Sequence, residues 1–263
     1  MEKVTAMDNA LKEHISEALS KGLRLDGRKL DEFRPISIET GKVATAEGSA
    51  EIRCGETHVV VGVKMEVGKP YSDRPDSGTL MVNAELRPIS NPLFEAGPPT
   101  IESIEVARVI DRTIRESKTI DEKRLCIKAG EKVWMANIDV CPLNHDGNLI
   151  DIGALAALTA LKDTKMPKID ANGQADYHEH TDEGLALESF PVAVTIVKIG
   201  SNLLVDPTDE EMRVADARLT VGSLEDGRIC ALQKGGDGPL TIDDIERMTD
   251  LAIKTGKGLR ELV

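Results

Sequence analysis

The sequence predicts an α+β protein built as two lobes that share a core. Its predicted strands and helices mix without the strict alternation of parallel βαβ units, which favours α+β packing. A polar, turn-rich segment, 162–188, separates two halves that each combine strands with helices. We therefore divide the chain into an N-terminal helical extension (1–22), an N-terminal lobe (23–189) and a C-terminal lobe (190–263).

The charge balance limits how this chain can meet nucleic acid. Its 263 residues include 33 basic and 46 acidic side chains, which gives a net charge of −13. A surface this acidic does not attract RNA as a whole, so any RNA contact needs a local basic patch or a partner's charge. Only 3 Phe, 2 Tyr and 1 Trp are present, which leaves few platforms for stacking bare bases.

The cellular compartment is predicted from targeting and membrane-spanning features that the sequence does not show. No apolar run approaches the roughly 20 residues that span a bilayer, and the first ten residues lack the apolar core of a signal peptide. The four cysteines are widely spaced and contain no C-x-x-C pair, which is typical of reduced thiols. We therefore expect a cytoplasmic protein without membrane contact.

Apolar periodicity assigns the elements of the first half. A helix over 8–21 is capped by Asp8 and ended by Gly22, and 101–118 is a second helix. Gly55 and Glu56 are expected to join two strands as a hairpin. The strands expected here are 36–38, 50–52, 57–67, 80–86, 125–128 and 132–140. The face of the second helix that should pack on the sheet carries Ile104, Ala107, Ile110 and Ile114.

The stretch 144–161, NHDGNLIDIGALAALTAL, predicts a buried central helix that follows a tight turn. Leucines recur every three residues and Ala or Gly fills most of the spaces, so neighbouring backbone can approach closely. A glycine turn before a helix N-terminus can bind an anion. A phosphate cradle usually adds hydroxyls or a cation, whereas this turn supplies Asn148 and then the acidic Asp151. We interpret it as structural.

The second half repeats the mixture of strands and helices. Its expected strands are 192–199, 203–205, 214–221 and 229–233. A final helix over 241–262 begins at the capping residue Thr241.

A row of arginines on the 101–118 helix is the best candidate for binding an anionic partner. Arg108, Arg112 and Arg115 follow each other at spacings of four and three, so they lie on one face, away from the apolar stripe. Guanidinium groups bind phosphate oxygens in pairs. The alternative is an exposed face tied by the pairs Glu105–Arg108 and Asp111–Arg115, and spacing alone favours that alternative.

Other charged clusters carry weaker signals. The acidic run 206–211, followed by Asp216, has the oxygens that Mg²⁺ or a general acid would need, but such a run more often forms a solvated loop. The 178–180 segment, His-Glu-His, has no further ligands nearby in sequence, so no metal site is expected. Mixed charges around the turn at Asp26 and Gly27 favour salt bridges. The arginines concerned are Arg24, Arg28 and Arg34.

Four motifs together resemble the RNase PH family, and the resemblance covers essentially the whole chain after the first helix. The motifs are RLDGR with FRP (24–35), GSAEIRCGETHVVVGV from Gly48, ARVIDRTIR from Ala107 and ADARLTVG from Ala215. Within that family, the sequence most resembles the non-catalytic ring subunit of the archaeal exosome.

The resemblance implies an RNase PH-like fold with two βαβα-type lobes. It also implies a hexameric ring in which the chain alternates with a catalytic RNase PH-like paralogue as a trimer of dimers, with RNA-binding cap subunits. Single-stranded RNA would be degraded from its 3′ end by inorganic phosphate. By the same resemblance, Arg108 and Arg112, and Arg115 after them, line the RNA path beside the partner's active site.

The chain departs from the catalytic members at two places. They carry a Gly-Ser/Thr-type phosphate loop and paired aspartates, whereas this chain has Asn148 after Gly147 and Met212 after its acidic pair. Asp216 remains in place of the second aspartate. We therefore expect no catalytic residues, no metal and no cofactor in a subunit that completes its partner's site. Two alternatives stay open: an active phosphorolytic 3′-to-5′ exoribonuclease using Asp216 and Glu211, and a scaffold without RNA contact.

Overall fold

The computed structural model describes residues 6–170 and 174–263 and confirms the α+β organisation. The helices are α1 (Ala6–Ser20), α2 (Ile101–Glu116), α3 (Leu149–Asp163), α4 (Asp209–Val214) and α5 (Ile242–Arg260), with a short 3-10 helix at Glu122–Leu125. The strands are β1 (Ile36–Thr40), β2 (Gly48–Cys54), β3 (Thr57–Gly68), β4 (Thr79–Ala84), β5 (Cys126–Lys128), β6 (Lys132–Asn144), β7 (Lys165–Ile169), β8 (Ala175–Gly184), β9 (Val192–Ile199), β10 (Asn202–Val205), β11 (Ala217–Ser223) and β12 (Ile229–Gly235).

Two main sheets organise these elements. The first has the order β1-β2-β3-β6-β4 with β5 on the end of β6, and its pairs are antiparallel except for β4 beside β6. The second is an antiparallel sheet of order β10-β9-β11-β12. The predicted hairpin is present, since Cys54 faces Thr57 in the β2–β3 register and Gly55 has a positive φ of 55°.

Helix α3 lies between the two sheets, and its small side chains allow the strands on both sides to approach closely. Every residue from Leu149 to Leu161 is buried. On one side, a Cβ added to Gly48 of β2 would lie 2.3 Å from the Ala160 carbonyl oxygen. On the other, the Thr195 hydroxyl of β9 donates to Asp151 at 2.7 Å. The predicted buried central helix is confirmed.

Helix α5 covers the opposite face of the second sheet. Successive strand residues point to opposite faces, and Val194, next to Thr195, lies against Gly256 of α5. The order of layers is therefore the first sheet, α2 with α3, the second sheet and α5.

Helix α1 packs against the outer edge of the second sheet. A helix of this length is only marginally stable alone, so it needs such packing. Ile15 and Leu19 are buried in a separate cluster with residues of β9 and β10. The Lys12 ammonium contacts the Asp216 carboxylate at 2.6 Å. The helix begins at Ala6, so Asp8 lies within its first turn and is not the predicted cap.

The polar segment 162–188 contains the paired strands β7 and β8, which were not predicted, and residues 171–173 lie outside the described residues. Strand β8 is mostly exposed, so its sequence shows no apolar alternation. Two predictions about elements are wrong. Val214 ends α4, and the predicted strand starts only at Ala217. The buried stripe of α2 is rotated from the prediction, since Ile104 is 46% exposed. The residues of α2 that are buried are Ser103, Val106, Val109, Ile110, Thr113 and Ile114.

The described residues contain no helix both long and apolar enough to cross a bilayer. The four cysteines form no disulfide, and only Cys54 is fully buried.

Candidate functional site

Helix α2 presents its arginines in three different states. It begins at Thr100, whose hydroxyl accepts from the Ser103 backbone N–H at 3.2 Å. Two turns later Arg108 is exposed, and within the described residues its side chain has neither a hydrogen bond nor an ion pair. Arg112 is half-buried and donates to the Leu232 carbonyl oxygen at 3.2 Å. The first arginine is therefore free to bind a ligand, and the second is oriented by β12.

Arg115 is held by acidic neighbours. It donates to both carboxylate oxygens of Asp111, at 2.6 and 3.1 Å, and to the Leu80 carbonyl oxygen at 2.6 Å. Glu122 lies 3.3 Å away. The hydrogen bond with Asp111 raises the pKa of Arg115. Its charge is thus largely compensated within the chain, so it offers less to a phosphate than Arg108 does.

The alternative pair Glu105–Arg108 does not form. The Glu105 carboxylate instead pairs with Arg218 and accepts from the Gln233 side-chain amide at 3.1 Å. Gln233 also contacts Arg112 through its side-chain oxygen at 3.4 Å. A series of side-chain hydrogen bonds and an ion pair therefore connects the arginine row to residues near the N-terminus of α3.

The N-terminus of α3 is covered by the chain itself. Gly147 has φ 84°, and a Cβ there would lie 2.4 Å from the Pro207 carbonyl oxygen. Asn148 follows with φ 56° and makes no side-chain cap. Its backbone N–H points at the Met212 sulfur, 3.4 Å away. Where an anion would approach this helix, the protein places its own backbone and a thioether.

Beneath the first turn of α3 lies an acid. Asp151 is fully buried and accepts from the backbone N–H and the hydroxyl of Thr195, both at 2.7 Å. Burial raises the pKa of Asp151 to about 7, against the opposing effect of the hydrogen bonds from Thr195. This group supplies no positive charge for a phosphate, as the sequence predicts.

The acidic run 206–211 is not the solvated loop that the sequence predicts. Asp206 is fully buried with φ 47°, and its carboxylate binds the guanidinium groups of Arg34 and Arg28. Two bonds from Arg34 measure 2.8 Å each. Burial alone would raise the pKa of Asp206, but the hydrogen bonds and charge of Arg34 outweigh it, and the pKa lies below its usual value.

Glu211 completes this buried ionic cluster. It forms the capping box of α4 with the N-cap residue Thr208, and it binds the Arg24 guanidinium at 2.5 and 2.9 Å. The predicted salt bridges of the three arginines are confirmed, but their main partners lie more than 170 residues away. The arginines fix the 206–211 segment over the start of α3. No local pattern identifies such distant partners.

The two acids retained from the catalytic alternative do not converge. Glu211 is bound by Arg24, whereas Asp216 is held by Lys12 of α1 and by the Gly200 backbone N–H at 2.8 Å. Across residues 6–170 and 174–263, no three His, Cys, Asp or Glu side chains are placed to hold a metal ion. His178 and His180 are exposed on β8.

A cavity of about 240 Å³ opens beside the covered helix start, and we call it the α3 cavity. Its apolar walls are Val106, Leu149, Ile150 and Met212. Its polar lining is Glu102, Glu105, His145, Asn148, Thr195 and Arg218. His145 and Asn148 each have a side-chain atom, Nδ1 and Oδ1 respectively, that is buried without a hydrogen-bond partner among the described residues. No pattern in the sequence singles out His145 or Glu102.

Comparison with known proteins places the whole chain in one family. Residues 32–167 match the model of the 3′ exoribonuclease family, domain 1, and residues 189–255 match domain 2 of the same family. The exosome complex component Rrp42 of Methanopyrus kandleri is 46% identical over 96% of both chains. The protein of the same name from Methanocella arvoryzae is 47% identical over 95% of this chain and 94% of its own.

Solved structures agree with this assignment. A chain of the Archaeoglobus fulgidus exosome with RNA bound to the active site superposes with a TM-score of 0.91 at 42% identity, covering 98% of this chain and 99% of that one. A chain of an archaeal exosome core gives 0.86 at 40% identity, covering 97% and 96%. The predicted RNase PH-like fold is confirmed. The chain belongs to the RNase PH-type 3′ exoribonuclease family.

Proposed function

We propose that this chain is a non-catalytic subunit of an archaeal-type exosome ring. It alternates with a catalytic RNase PH-like paralogue in a hexameric trimer of dimers, and it contacts single-stranded RNA beside the active site of that partner. The proposal is supported by relatives named as exosome components and by the fold shared with an exosome that has RNA at its active site.

The covered N-terminus of α3 carries the non-catalytic part of the proposal. Phosphorolysis brings a phosphate nucleophile against a phosphodiester, so the site has to neutralise two anions as charge develops. Here Met212 and the backbone of Pro207 occupy the approach to the helix, and Asp151 lies beneath it. Asp216 forms an ion pair with Lys12, and Glu211 forms one with Arg24. The described residues around the start of α3 therefore leave no space in which this chain would hold a phosphate nucleophile.

The arginine row supports RNA contact. Arg108 is exposed and has no partner among the residues that the structure describes. Arg112, one turn later on the same helix, is held by a hydrogen bond to β12. RNA affinity depends on the phosphates that are neutralised locally, so a basic row can act on a chain of net charge −13. Arg115 contributes less because Asp111 and Glu122 compensate its charge.

The test is RNA binding by the assembled complex with Arg108→Glu, with Arg112→Glu and with the control Lys257→Glu. Lys257 is exposed on α5, and its replacement changes the net charge by the same amount. Each arginine variant should weaken oligo-A binding and make the salt slope shallower by about one unit. The control should change neither. Unchanged affinity and slope in both arginine variants would favour a scaffold without RNA contact.

We also propose that RNA-binding cap subunits dock on the assembled ring, and that the ring works in the cytoplasm. Both proposals require that the ring forms, and light scattering tests this by measuring the molar mass of the assembly. The chain mixed with its catalytic paralogue should give one hexameric species, whereas a hexamer formed by this chain alone would contradict the alternating arrangement.

A further inference from the structure

We propose that Arg218 sets the RNA affinity of the arginine row, although it lies outside that row. It acts through Glu105, whose carboxylate it holds away from Arg108, so Arg218 is a positioning residue. The inference rests on the proposed function, because it needs the phosphates of RNA to meet the row.

Glu105 is the acid that is placed to neutralise the row. It stands three residues before Arg108 on α2, and side chains at this spacing are neighbours on a helix surface. Spacing alone therefore favours an ion pair between them, which would compensate the charge that Arg108 offers to a phosphate. Glu102, another acid near this end of α2, stands six residues before Arg108 and about 120° around the helix, so it cannot form that pair.

The structure gives the Glu105 carboxylate two other partners. Arg218, near the start of β11, binds one oxygen through its guanidinium group, and the Gln233 side-chain amide donates to the other at 3.1 Å. The side chains of Arg218 and Glu105 are only 16% and 27% exposed, so solvent and salt screen this pair weakly. A pair with the exposed Arg108 would be screened more strongly, so the carboxylate stays with Arg218.

The backbone of β12 makes room for this guanidinium group. Gly235 lies directly opposite Arg218 in the β11–β12 register, and a Cβ added there would overlap the Arg218 guanidinium. Gly235 does not have a positive φ, so the close approach of Arg218, and not the backbone conformation, requires glycine here. Arg218 therefore has a fixed path from β11, across Gly235, to Glu105 on α2.

Gln233 keeps the same carboxylate away from the second arginine. Its amide nitrogen faces Glu105, and its amide oxygen faces the Arg112 guanidinium at 3.4 Å. Each end of the amide meets a group of matching polarity, so the side chain separates the acid from the arginine. Arg112 also donates to the Leu232 carbonyl oxygen, so its position does not depend on Glu105.

Loss of Arg218 would leave the Glu105 charge uncompensated about one helical turn from Arg108. That charge would either pair with Arg108 or repel the phosphate bound there. Exposed charges a few ångströms apart interact weakly in water, so we expect RNA affinity to fall about threefold. Because less positive charge is available locally, the salt slope should become shallower by up to about one unit.

The first experiment measures oligo-A binding by the assembled complex at low salt. Arg218→Met should weaken binding about threefold, and the control Arg247→Met, at an exposed arginine of α5, should not. Adding Glu105→Gln to Arg218→Met should restore the wild-type affinity and slope. Adding Glu246→Gln, at an exposed acid of α5, should not, although it restores the same net charge. Wild-type binding by Arg218→Met, a loss that Glu105→Gln leaves in place, or equal restoration by Glu246→Gln would each overturn the inference.

A second variant displaces the guanidinium group without removing a charge, and it carries the test if Arg218→Met does not fold. Gly235→Ala should push the Arg218 guanidinium from its path and weaken oligo-A binding by a similar factor, and Glu105→Gln should again restore it. Gly258→Ala, at a position of α5 with open space, is the matched control. Circular dichroism verifies that each variant is folded.

The outcomes separate this inference from the proposed function. Weaker binding in Arg108→Glu, with wild-type binding in both Arg218→Met and Gly235→Ala, would keep the proposed function and refute the role of Arg218. Unchanged binding in Arg108→Glu would refute RNA contact by the row, and the role of Arg218 with it.

Discussion

Replacing Asp206 with asparagine should strongly destabilise the fold. Asp206 is fully buried, and its carboxylate accepts from Arg34, Arg28 and Asn148. Asparagine has nearly the same shape and tolerates the left-handed φ of 47°, so backbone strain does not enter the comparison. What changes is the charge, together with one acceptor oxygen that becomes an amide donor facing the donors of Arg34, Arg28 and Asn148.

The expected magnitude follows from the arginines that would be left. Removing one partner of a buried ion pair typically costs 3–5 kcal/mol, because the other charge stays buried without compensation. Arg34 keeps a contact with Asp146 at 3.1 Å, and Arg28 keeps Asp26 at 2.6 Å. These remaining contacts place the loss at the lower end, about 3 kcal/mol in the free energy of unfolding.

Urea unfolding of the full chain, followed by circular dichroism, measures this loss. The matched control is Asp237→Asn, which changes the net charge equally at an exposed site and should stay within about 0.5 kcal/mol. A loss below about 1 kcal/mol in Asp206→Asn would mean that the buried cluster does not fix the 206–211 segment. A change in the m-value would instead indicate altered compactness.

Two further predictions concern the start of α3. The folded pKa of Asp151, about 7, lies above its ordinary value of 3.8, so the folded state holds a proton that the unfolded state releases. Stability should therefore fall by up to about 4 kcal/mol as pH rises between those two values, and urea midpoints of Asp151→Asn should lack this slope. Gly147→Ala combines φ 84° with a Cβ 2.4 Å from the Pro207 carbonyl oxygen and should cost about 3 kcal/mol by thermal unfolding. Gly97→Ala, which has open space, should be nearly neutral, and equal losses would refute the close approach.

The features that the sequence predicts well are those determined by residues close together along the chain. Helix α3 was predictable because small residues between leucines at regular spacing describe a helix with backbone close by on all sides. The arginine row was predictable from helical spacing, although not all of its pairing was. Spacing predicted the pair Asp111–Arg115, which the structure confirms, but it could not show that Glu105 turns to Arg218 or that Arg115 also contacts Glu122.

What the sequence does not predict depends on distant parts of the chain. Asp206 and Arg34 are 172 residues apart. Because the partner of the acidic run is so distant in sequence, local pattern predicts a solvated loop there. Burial then turned its carboxylates into the partners of the arginine cluster. Likewise the exposed β7–β8 hairpin is held by backbone bonds, which leave no apolar pattern to find. The α3 cavity is formed by α2, α3 and the second sheet together.

Nucleoside diphosphate release by the purified chain alone is the most direct test of the central claim, that this chain holds no phosphate nucleophile of its own. The chain is incubated with oligo-A, inorganic phosphate and Mg²⁺, and the complex with its catalytic paralogue serves as the positive control. We predict release from the complex and none from the chain alone. Phosphate-dependent release without the partner would contradict the claim.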